Sequence, residues 1–451
     1  NRPSARTTDR CVVATRHQGR ARVKASINTN AVTNELTITI QGLNWDDIEQ
    51  ASFYEGEVQV RDLLKLIGQE LTVHLLRSKE VEAPRLEVGG ETYYCKAASP
   101  GHYQTLYGEV VVSRHLYQTS AGGTTLCPLE RNCQLSFSSA TPLLAEVVSF
   151  KLASAAAGEV AQDLAKSHGL SLSDTYLRQL AQQVGQIAVD RRHAWHLQAA
   201  AATVPVAIIA TGVDGTTMPM VSEAYKEAMC GTIALYDQSG ERLHTEYLGT
   251  MPEAGKATFA QRFTTRMAQV KALYPNALHV CLGDGAKWNW DFFATHYPEA
   301  VWVLDFYHAA MHLHTAAEAI YGTGTEAETY YERWRTTLLE EEGGVASLLR
   351  SLLYYRNQAD LSASAQHVLD TESNYFRAHV ELMQYADFRA AGLPIGSGVT
   401  EAGCKELIKA RFCRSGMRWK RASGAPILQL RAIKLSQHWD SFWSKVMRYA
   451  A

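Results

Sequence analysis

The chain has 451 residues, 46% hydrophobic and 20% charged, enough apolar material for two or three packed domains and too much for an intrinsically disordered polymer. No uninterrupted apolar run approaches the roughly 20 residues of a membrane helix; the longest lies around Val204 to Val213. The Arg-rich start lacks the apolar stretch of a secretory signal, so a cytoplasmic protein with no membrane partner is expected.

A formal net charge of −2 gives no global attraction for a polyanion, but the charges are unevenly placed. From Glu401 onward there are 11 Lys and Arg against 3 acids, residues 1–24 carry 7 against 1, and the middle is acidic. Basic ends around an acidic centre suit a protein that grips nucleic acid locally while concentrating carboxylates elsewhere. The eight cysteines show no C-x-x-C spacing, and Cys127 and Cys133, six apart, are read as reduced thiols like the rest.

In chain order, residues 1–24 read as a disordered basic leader and residues 25–140 as a mixed α+β N-terminal region, with β alternation in Leu36–Ile40 and Tyr107–Val112. Residues 141–195 turn to helical periodicity: Leu143–Ala153, Ala155–Ser167, a break at His168-Gly169-Leu170, and a helix capped by Ser173. That is helix-turn-helix spacing. Leu177, Leu180 and Val184 share one face, while Thr175, Arg178, Gln179 and Gln182 project from the other as a DNA-recognition helix would, a plain helical hairpin being the simpler alternative. Residues 196–310 then read β, β, β, α, β, α, with strands near Val204–Asp214, Met229–Tyr236, Arg242–Leu248, Leu278–Gly283 and Val301–Leu304 and a helix over Thr258–Leu273. Three hairpin-linked strands followed by alternation with helices is the order of an RNase H-like mixed sheet, an α/β class. Residues 311–393 read as an all-helical insertion, and 394–451 as a final helix with a basic C-terminal region.

The chemistry is carried by acids at strand ends. Asp214 closes an apolar strand in Thr211-Gly-Val-Asp-Gly215, and Asp284 closes another in Val280-Cys-Leu-Gly-Asp-Gly285. A carboxylate at such a place is costly to desolvate without a positive partner, and a divalent cation is an economical one. The glycine after each Asp removes side-chain bulk and lets substrate approach. A third acid, Glu401, enters the first turn of a helix after Pro394-Ile-Gly-Ser-Gly398, where Ser397 or Thr400 can cap. Two or three carboxylates holding two metals about 3.5–4 Å apart meet the needs of phosphodiester cleavage. Mg²⁺ is the expected cofactor, with Mn²⁺ as substitute.

These residues resemble the DDE transposases of bacterial insertion sequences, specifically the ISKra group. The likeness runs from about Tyr107 to Trp419 through Tyr117-Gln-Thr-Ser-Ala-Gly-Gly123, Cys127-Pro-Leu-Glu130, Gly212-Val-Asp-Gly-Thr216, Leu282-Gly-Asp-Gly-Ala286, Leu304-Asp-Phe-Tyr-His308, Gly396-Ser-Gly-Val-Thr-Glu401 and Arg414-Ser-Gly-Met-Arg-Trp419. The resemblance implies an RNase H-like catalytic domain with a helical insertion before the last acid, and Asp214, Asp284 and Glu401 as catalytic and metal-binding triad. The spacings, 70 and 117 residues, leave room for that insertion. Asp305 and His308 look like an auxiliary acid–histidine signature that positions DNA or supports the metal shell.

Lys405, Lys409, Arg411, Arg414, Arg418, Lys420 and Arg421, with Phe412 and Trp419 interleaved, follow Glu401 directly. Such a stripe is expected to bring phosphates to the metals and stack unpaired bases. The expected function is strand cleavage and transfer at transposon ends, with binding to terminal repeats partly through Arg178 and Gln182. The expected partners are DNA and, from paired-end synapsis, a second copy or higher oligomer, at the bacterial nucleoid. Two alternatives are another RNase H-like nuclease and an inactive, transposase-derived regulator.

Overall fold

Residues 23–30, 35–191, 204–358 and 360–450 are described by a computed structural model of the chain. The expected leader falls almost wholly outside them. Two compact units are present, one formed by Asn1–Ile187 with Trp439–Ala451 and the other by Ala188–His438.

The first unit opens with an antiparallel hairpin, β1 (Lys24–Asn30) and β2 (Glu35–Gln41), then α1 (Trp45–Glu49) and the 26-residue α2 (Phe53–Ser78). A capping box starts α2: the Ser52 backbone N–H donates to Glu55 Oε2 at 3.0 Å while the Glu55 N–H donates to Ser52 Oγ at 3.4 Å. An antiparallel sheet follows, β3 (Arg85–Val88), β4 (Glu91–Thr105), β5 (Gly108–Thr119) and β6 (Gly122–Leu126), in sequential order. Val73 and Leu76 of α2 pack with Tyr103, Val110, Val112 and Leu129 to form this unit's core. The helices α3 (Pro128–Asn132), α4 (Pro142–Leu152), α5 (Ala157–His168) and α6 (Asp174–Asp190) complete it. Gly169 ends α5 at φ 61°, and Ser173 Oγ accepts the Tyr176 N–H at 3.2 Å, so the break and cap fall where the sequence puts them.

The second unit holds a five-stranded mixed sheet of β7 (Ile208–Met220), β8 (Ala224–Tyr236), β9 (Arg242–Thr250), β10 (Leu278–Gly283) and β11 (Val301–Leu304), ordered β11-β10-β7-β8-β9. The pairs β7–β8 and β8–β9 are antiparallel, and β7–β10 and β10–β11 parallel. Crossovers α7 (Ala257–Leu273) and α8 (Lys287–His296) flank β10 in sequence. Strand alternation sends Ile209, Val213 and Cys281 into one core with Phe259, Phe263 and Phe293. Ile208, Ala210, Val280 and Leu282 go to the other face, into a core that continues through α9 (Phe306–Tyr321), α10 (Thr325–Glu340), α11 (Gly344–Arg356), α12 (Ala363–Ala378) and α13 (Tyr385–Ala390).

The closing stretch is α14 (Gly398–Gly403), a π-wound segment Cys404–Lys409, α15 (Ala410–Phe412) and α16 (Arg421–Leu435); α17 (Trp439–Ala450) belongs to the first unit. Among the described residues no helix is long and apolar enough to cross a membrane.

One boundary differs from expectation. Asp214 does not close its strand, because β8 pairs with β7 from Ile208 to Met220 and opposes Asp214 with Cys230. On the other side β10 pairs with β7 only as far as Leu282 against Gly212, so Asp214 stands in mid-strand yet beyond the end of its parallel neighbour.

Candidate active site

Asp284 follows directly on the end of β10, whose last pairing with β7 is Leu282 against Gly212, and its charge acts on Asp214. Strand alternation puts Asp214 on the face of β7 that carries Ile208 and Ala210. Asp284 Oδ1 accepts the Ala286 N–H at 3.1 Å and the Asn289 side chain at 2.9 Å, which fixes its rotamer and leaves Oδ2 outside those bonds.

Glu401 stands exposed on α14, between Thr400, which meets β7 and β8, and Cys404, which meets Asp214. That helix lies so close to the sheet that a Cβ on Gly212 would sit 3.1 Å from Thr400 Cβ and inside contact distance of Thr400 Oγ1. Thr400 Oγ1 meets Thr232 Oγ1 of β8 at 2.7 Å, locking the helix across β7 and β8. One turn past Glu401, Cys404 donates its thiol to Asp214 Oδ2 at 3.3 Å. The π segment beginning at Cys404 widens the helix at this point, a distortion that recurs at functional sites.

A hydrogen-bonded chain ties the acids further. Ser397 Oγ donates to Glu401 Oε1 at 3.2 Å, and the Ser397 N–H donates to Asp305 Oδ2. Asp305, buried at the end of β11, also accepts the His308 N–H at 2.6 Å, and its own N–H donates to Gly283 O at 2.8 Å, next to Asp284. Asp305 is therefore both the helix cap and a strut between β10, α9 and the turn before α14.

Burial pushes the Asp214 carboxyl above its ordinary value, with Asp284 and Glu227 pushing the same way against the hydrogen bonds from Cys404 and Gly215. Cys404 is held protonated by its partner Cys230 and by burial, so it is a donor and not a thiolate. The charged groups that act most on Asp214 are thus acidic. An all-oxygen donor set with uncompensated negative charge fits Mg²⁺ or Mn²⁺ far better than a softer ion.

From the helical insertion, Tyr375 of α12 approaches this centre. Its hydroxyl is buried without a hydrogen-bond partner, 3.4 Å from where a Cβ on Gly285 would lie, and Gly285 has φ 96°. Burial raises the Tyr375 pKa, as do Asp284, Asp305 and Glu372. The ring stacks on His312 at 3.7 Å, His312 Nδ1 meets Glu372 Oε2 at 2.6 Å, and His308 lies 5.3 Å from His312. Tyr375, Cys404, Asn289 and Ser397 were not singled out from the sequence as site residues; only Cys404, three residues from Glu401 on a helix, carries a local signal.

The basic stretch divides in two. Lys405, Lys409, Arg418 and Lys420 are exposed and Arg414 half-buried. Arg411, expected to contact DNA, is only 3% exposed; its guanidinium sits 5.1 Å from the Trp419 ring centre and its Nη1 lies 3.8 Å from Met417 Sδ. Trp419 packs on Phe412 at 4.7 Å and donates Nε1–H to Phe412 O at 3.2 Å, so neither it nor Arg411 is placed to receive a base or phosphate. Arg421 is engaged too, donating Nε–H to Pro252 O at 2.6 Å and pairing with Glu223. In the first unit Arg178 is exposed and bonds Asp174 at 3.2 Å, while Gln182 is half-buried.

A second convergence lies on β9. His244 Nε2 is 2.8 Å from Glu246 Oε1, His438 Nε2 bonds the same oxygen, and Arg266 Nη1 is 3.8 Å from Oε2. Although buried, the Glu246 carboxyl is held down at about 2 by its His244 and His438 hydrogen bonds and nearby positive charge. With two imidazoles and a guanidinium around it, this carboxylate is satisfied without a cation.

No protein-family model matches the chain, and no curated protein matches it.

Proposed function

We propose that the chain is a metal-dependent DNA transposase built on an RNase H-like core. The observation that carries the reading is the pairing of Asp214 on β7 with Asp284 just past the end of the adjoining β10, near enough for their charges to interact, with the helix bearing Glu401 packed on the same sheet and its continuation hydrogen-bonded to Asp214 through Cys404. The order β11-β10-β7-β8-β9, with three antiparallel strands followed by parallel crossovers, supports the RNase H-like assignment.

Asp214, Asp284 and Glu401 would hold the cations. When bound, paired Mg²⁺ or Mn²⁺ neutralises charge on the attacking and leaving oxygens of a phosphodiester and makes water or a 3′-hydroxyl a better nucleophile. The protein's own part is preorganisation. Asn289 and the Ala286 N–H orient Asp284, Cys404 orients Asp214, and Ser397, braced by Asp305, orients Glu401. Lys405, Lys409, Arg418 and Lys420 position phosphates electrostatically. Water attacks phosphorus at the transposon end and the P–O3′ bond breaks, leaving a 3′-hydroxyl. That hydroxyl attacks a target phosphodiester and displaces a second 3′-oxygen, the proton passing to solvent. Terminal-repeat binding is assigned in part to α5 and α6, with Arg178 released from Asp174 to meet DNA.

The test is joining of a labelled terminal-repeat duplex to a target plasmid with Mg²⁺. Asp214→Asn, Asp284→Asn and Glu401→Gln are each expected to abolish cleavage and joining while gel-shift binding persists. Full activity in any one of them overturns the triad. Cleavage without joining would instead mark a hydrolytic nuclease, and binding without either a regulator.

A further inference from the structure

The hydroxyl of Tyr375 on α12 is buried and finds no hydrogen-bond partner among the described residues. Such an orphaned group works against the fold that holds it, so its persistence calls for a use. Want of a partner is not general to the buried tyrosines here, since the Tyr385 hydroxyl of neighbouring α13 donates to Leu304 O at 3.0 Å. The Tyr375 ring is also held firmly. His312 stacks on it at 3.7 Å and 20° and is itself fixed by Glu372, Nδ1 to Oε2 at 2.6 Å. One turn on, the His379 ring lies 4.8 Å away, with its Nδ1 2.8 Å from Tyr375 O. A phenol clamped in this way is aimed.

Its target is the turn that carries Asp284. The hydroxyl oxygen stands 3.4 Å from where a Cβ on Gly285 would lie, with Leu304 Cδ1 at 3.7 Å from the same point, and φ 96° makes 285 a glycine position. The absence of a side chain there is what lets the phenol come so close to the acid. Asp284 and Asp305 both hold the proton on Tyr375, so the group is a donor facing negative charge. Asp284 Oδ1 already accepts from the Ala286 N–H and from Asn289, whereas Oδ2 lies outside those bonds.

We propose that Tyr375 is a positioning residue for Asp284, its hydroxyl donating to Oδ2 as that carboxylate turns to hold its cation. A carboxylate oxygen has two lone pairs, so one can face the metal while the other accepts from the phenol. Outer partners of this kind fix the orientation of a ligand and are worth about 10–100-fold in metal affinity. The proposal rests on the reading of Asp284 as a cation ligand, and it makes the helical insertion, through α12, a part of the metal centre.

The experiment is Mn²⁺ binding to the full chain without DNA, read by electron paramagnetic resonance of the free ion, beside thermal melting in chelator. Asp284→Asn is expected to remove the site. Tyr375→Phe should weaken Mn²⁺ binding about 10–100-fold. In chelator it should melt no lower than wild type, because the ring keeps its stack on His312 and the hydroxyl has no partner to lose. Tyr385→Phe is the contrast: it gives up a real bond to Leu304 O, so it should melt lower and bind Mn²⁺ as wild type does. If Asp284→Asn removes binding and Tyr375→Phe leaves it unchanged, this proposal fails and the cation-binding acids stand. If Asp284→Asn binds Mn²⁺ as tightly as wild type, the reading of Asp284 as a ligand fails and takes the role of Tyr375 with it. A Tyr375→Phe chain that melts several degrees lower in chelator, or a Tyr385→Phe chain that loses as much Mn²⁺ affinity, also overturns the proposal, because either outcome makes the hydroxyl a structural group.

Discussion

Replacing Gly212 by alanine puts one methyl group between β7 and the helix that carries Glu401. The new Cβ would lie 3.1 Å from Thr400 Cβ and overlap Thr400 Oγ1, which is itself bonded to Thr232 at 2.7 Å. Overpacking at such a site costs about 1–3 kcal/mol, and loss of the buried hydroxyl pair about 0.5–1.5 more. The sum, about 1.5–4.5 kcal/mol, corresponds to a fall in melting temperature of roughly 3–18 °C for a unit of this size. If α14 yields instead by about 1 Å, strand transfer should drop about 100-fold, because Glu401 moves with it. Thr400→Ala removes the obstructing atom, so the Gly212→Ala, Thr400→Ala double variant should recover most of the stability lost by Gly212→Ala alone. The cycle is read by thermal denaturation, with a coupling of at least 1 kcal/mol expected. Additive effects, or a Gly212→Ala variant as stable and active as wild type, would refute the claim that this contact seats the third carboxylate.

Asp214 gives a pH-linked prediction. A carboxyl whose folded pKa is raised adds stability only below its ordinary 3.8 and loses it as pH rises through the folded value, so at neutral pH the ionised group is a cost. Asp214→Asn should therefore melt no lower than wild type at pH 7 in chelator, while lacking the Mg²⁺-induced rise in melting temperature expected of wild type; a fall of several degrees in chelator would contradict this. Glu246 has the opposite sign: held at about 2, it contributes stability above pH 4.5 that is lost as pH falls toward 2. Glu246→Gln should cost about 2–4 kcal/mol at pH 7 by leaving Arg266 and two histidines without their anion, and the deficit should close below pH 3 in a urea titration series. Replacing Lys405, Lys409, Arg418 and Lys420 by alanine should flatten the salt dependence of DNA affinity, by about 0.9 in log–log slope for each phosphate that is no longer neutralised. Arg411→Ala should leave that slope alone and lower the melting temperature, because its guanidinium is spent on Trp419.

How much of this was legible in the sequence depended on how local the cause was. The bounds of β10 and β11 follow from short apolar runs closed by Gly-Asp and Asp, and both were read to the residue. β7 overran its expected end because Thr216 to Met220 finds its partners in β8, and pairing between strands leaves little trace in either one. Arg411 and Trp419 read as a nucleic-acid stripe since charge and aromaticity look alike whether turned out or in; only packing shows that they satisfy each other. Asp305 was read with His308 as an auxiliary acid–histidine pair, and its bond to the Ser397 N–H across 92 residues was out of reach. Tyr375 gave no signal at all, being one aromatic among many in a helical stretch whose approach to Gly285 is purely tertiary.

The helical insertion leaves and rejoins the sheet at one place: the Phe306 N–H donates to Ile395 O at 2.9 Å, and the Tyr385 hydroxyl pins Leu304 O at 3.0 Å. A module whose two ends are stapled together can lengthen, shorten or be exchanged without disturbing the frame that bears the acids. Under the proposed function, such a grafting point would let the rim around the acids be rebuilt for different DNA ends, provided that the helix presenting Tyr375 is kept.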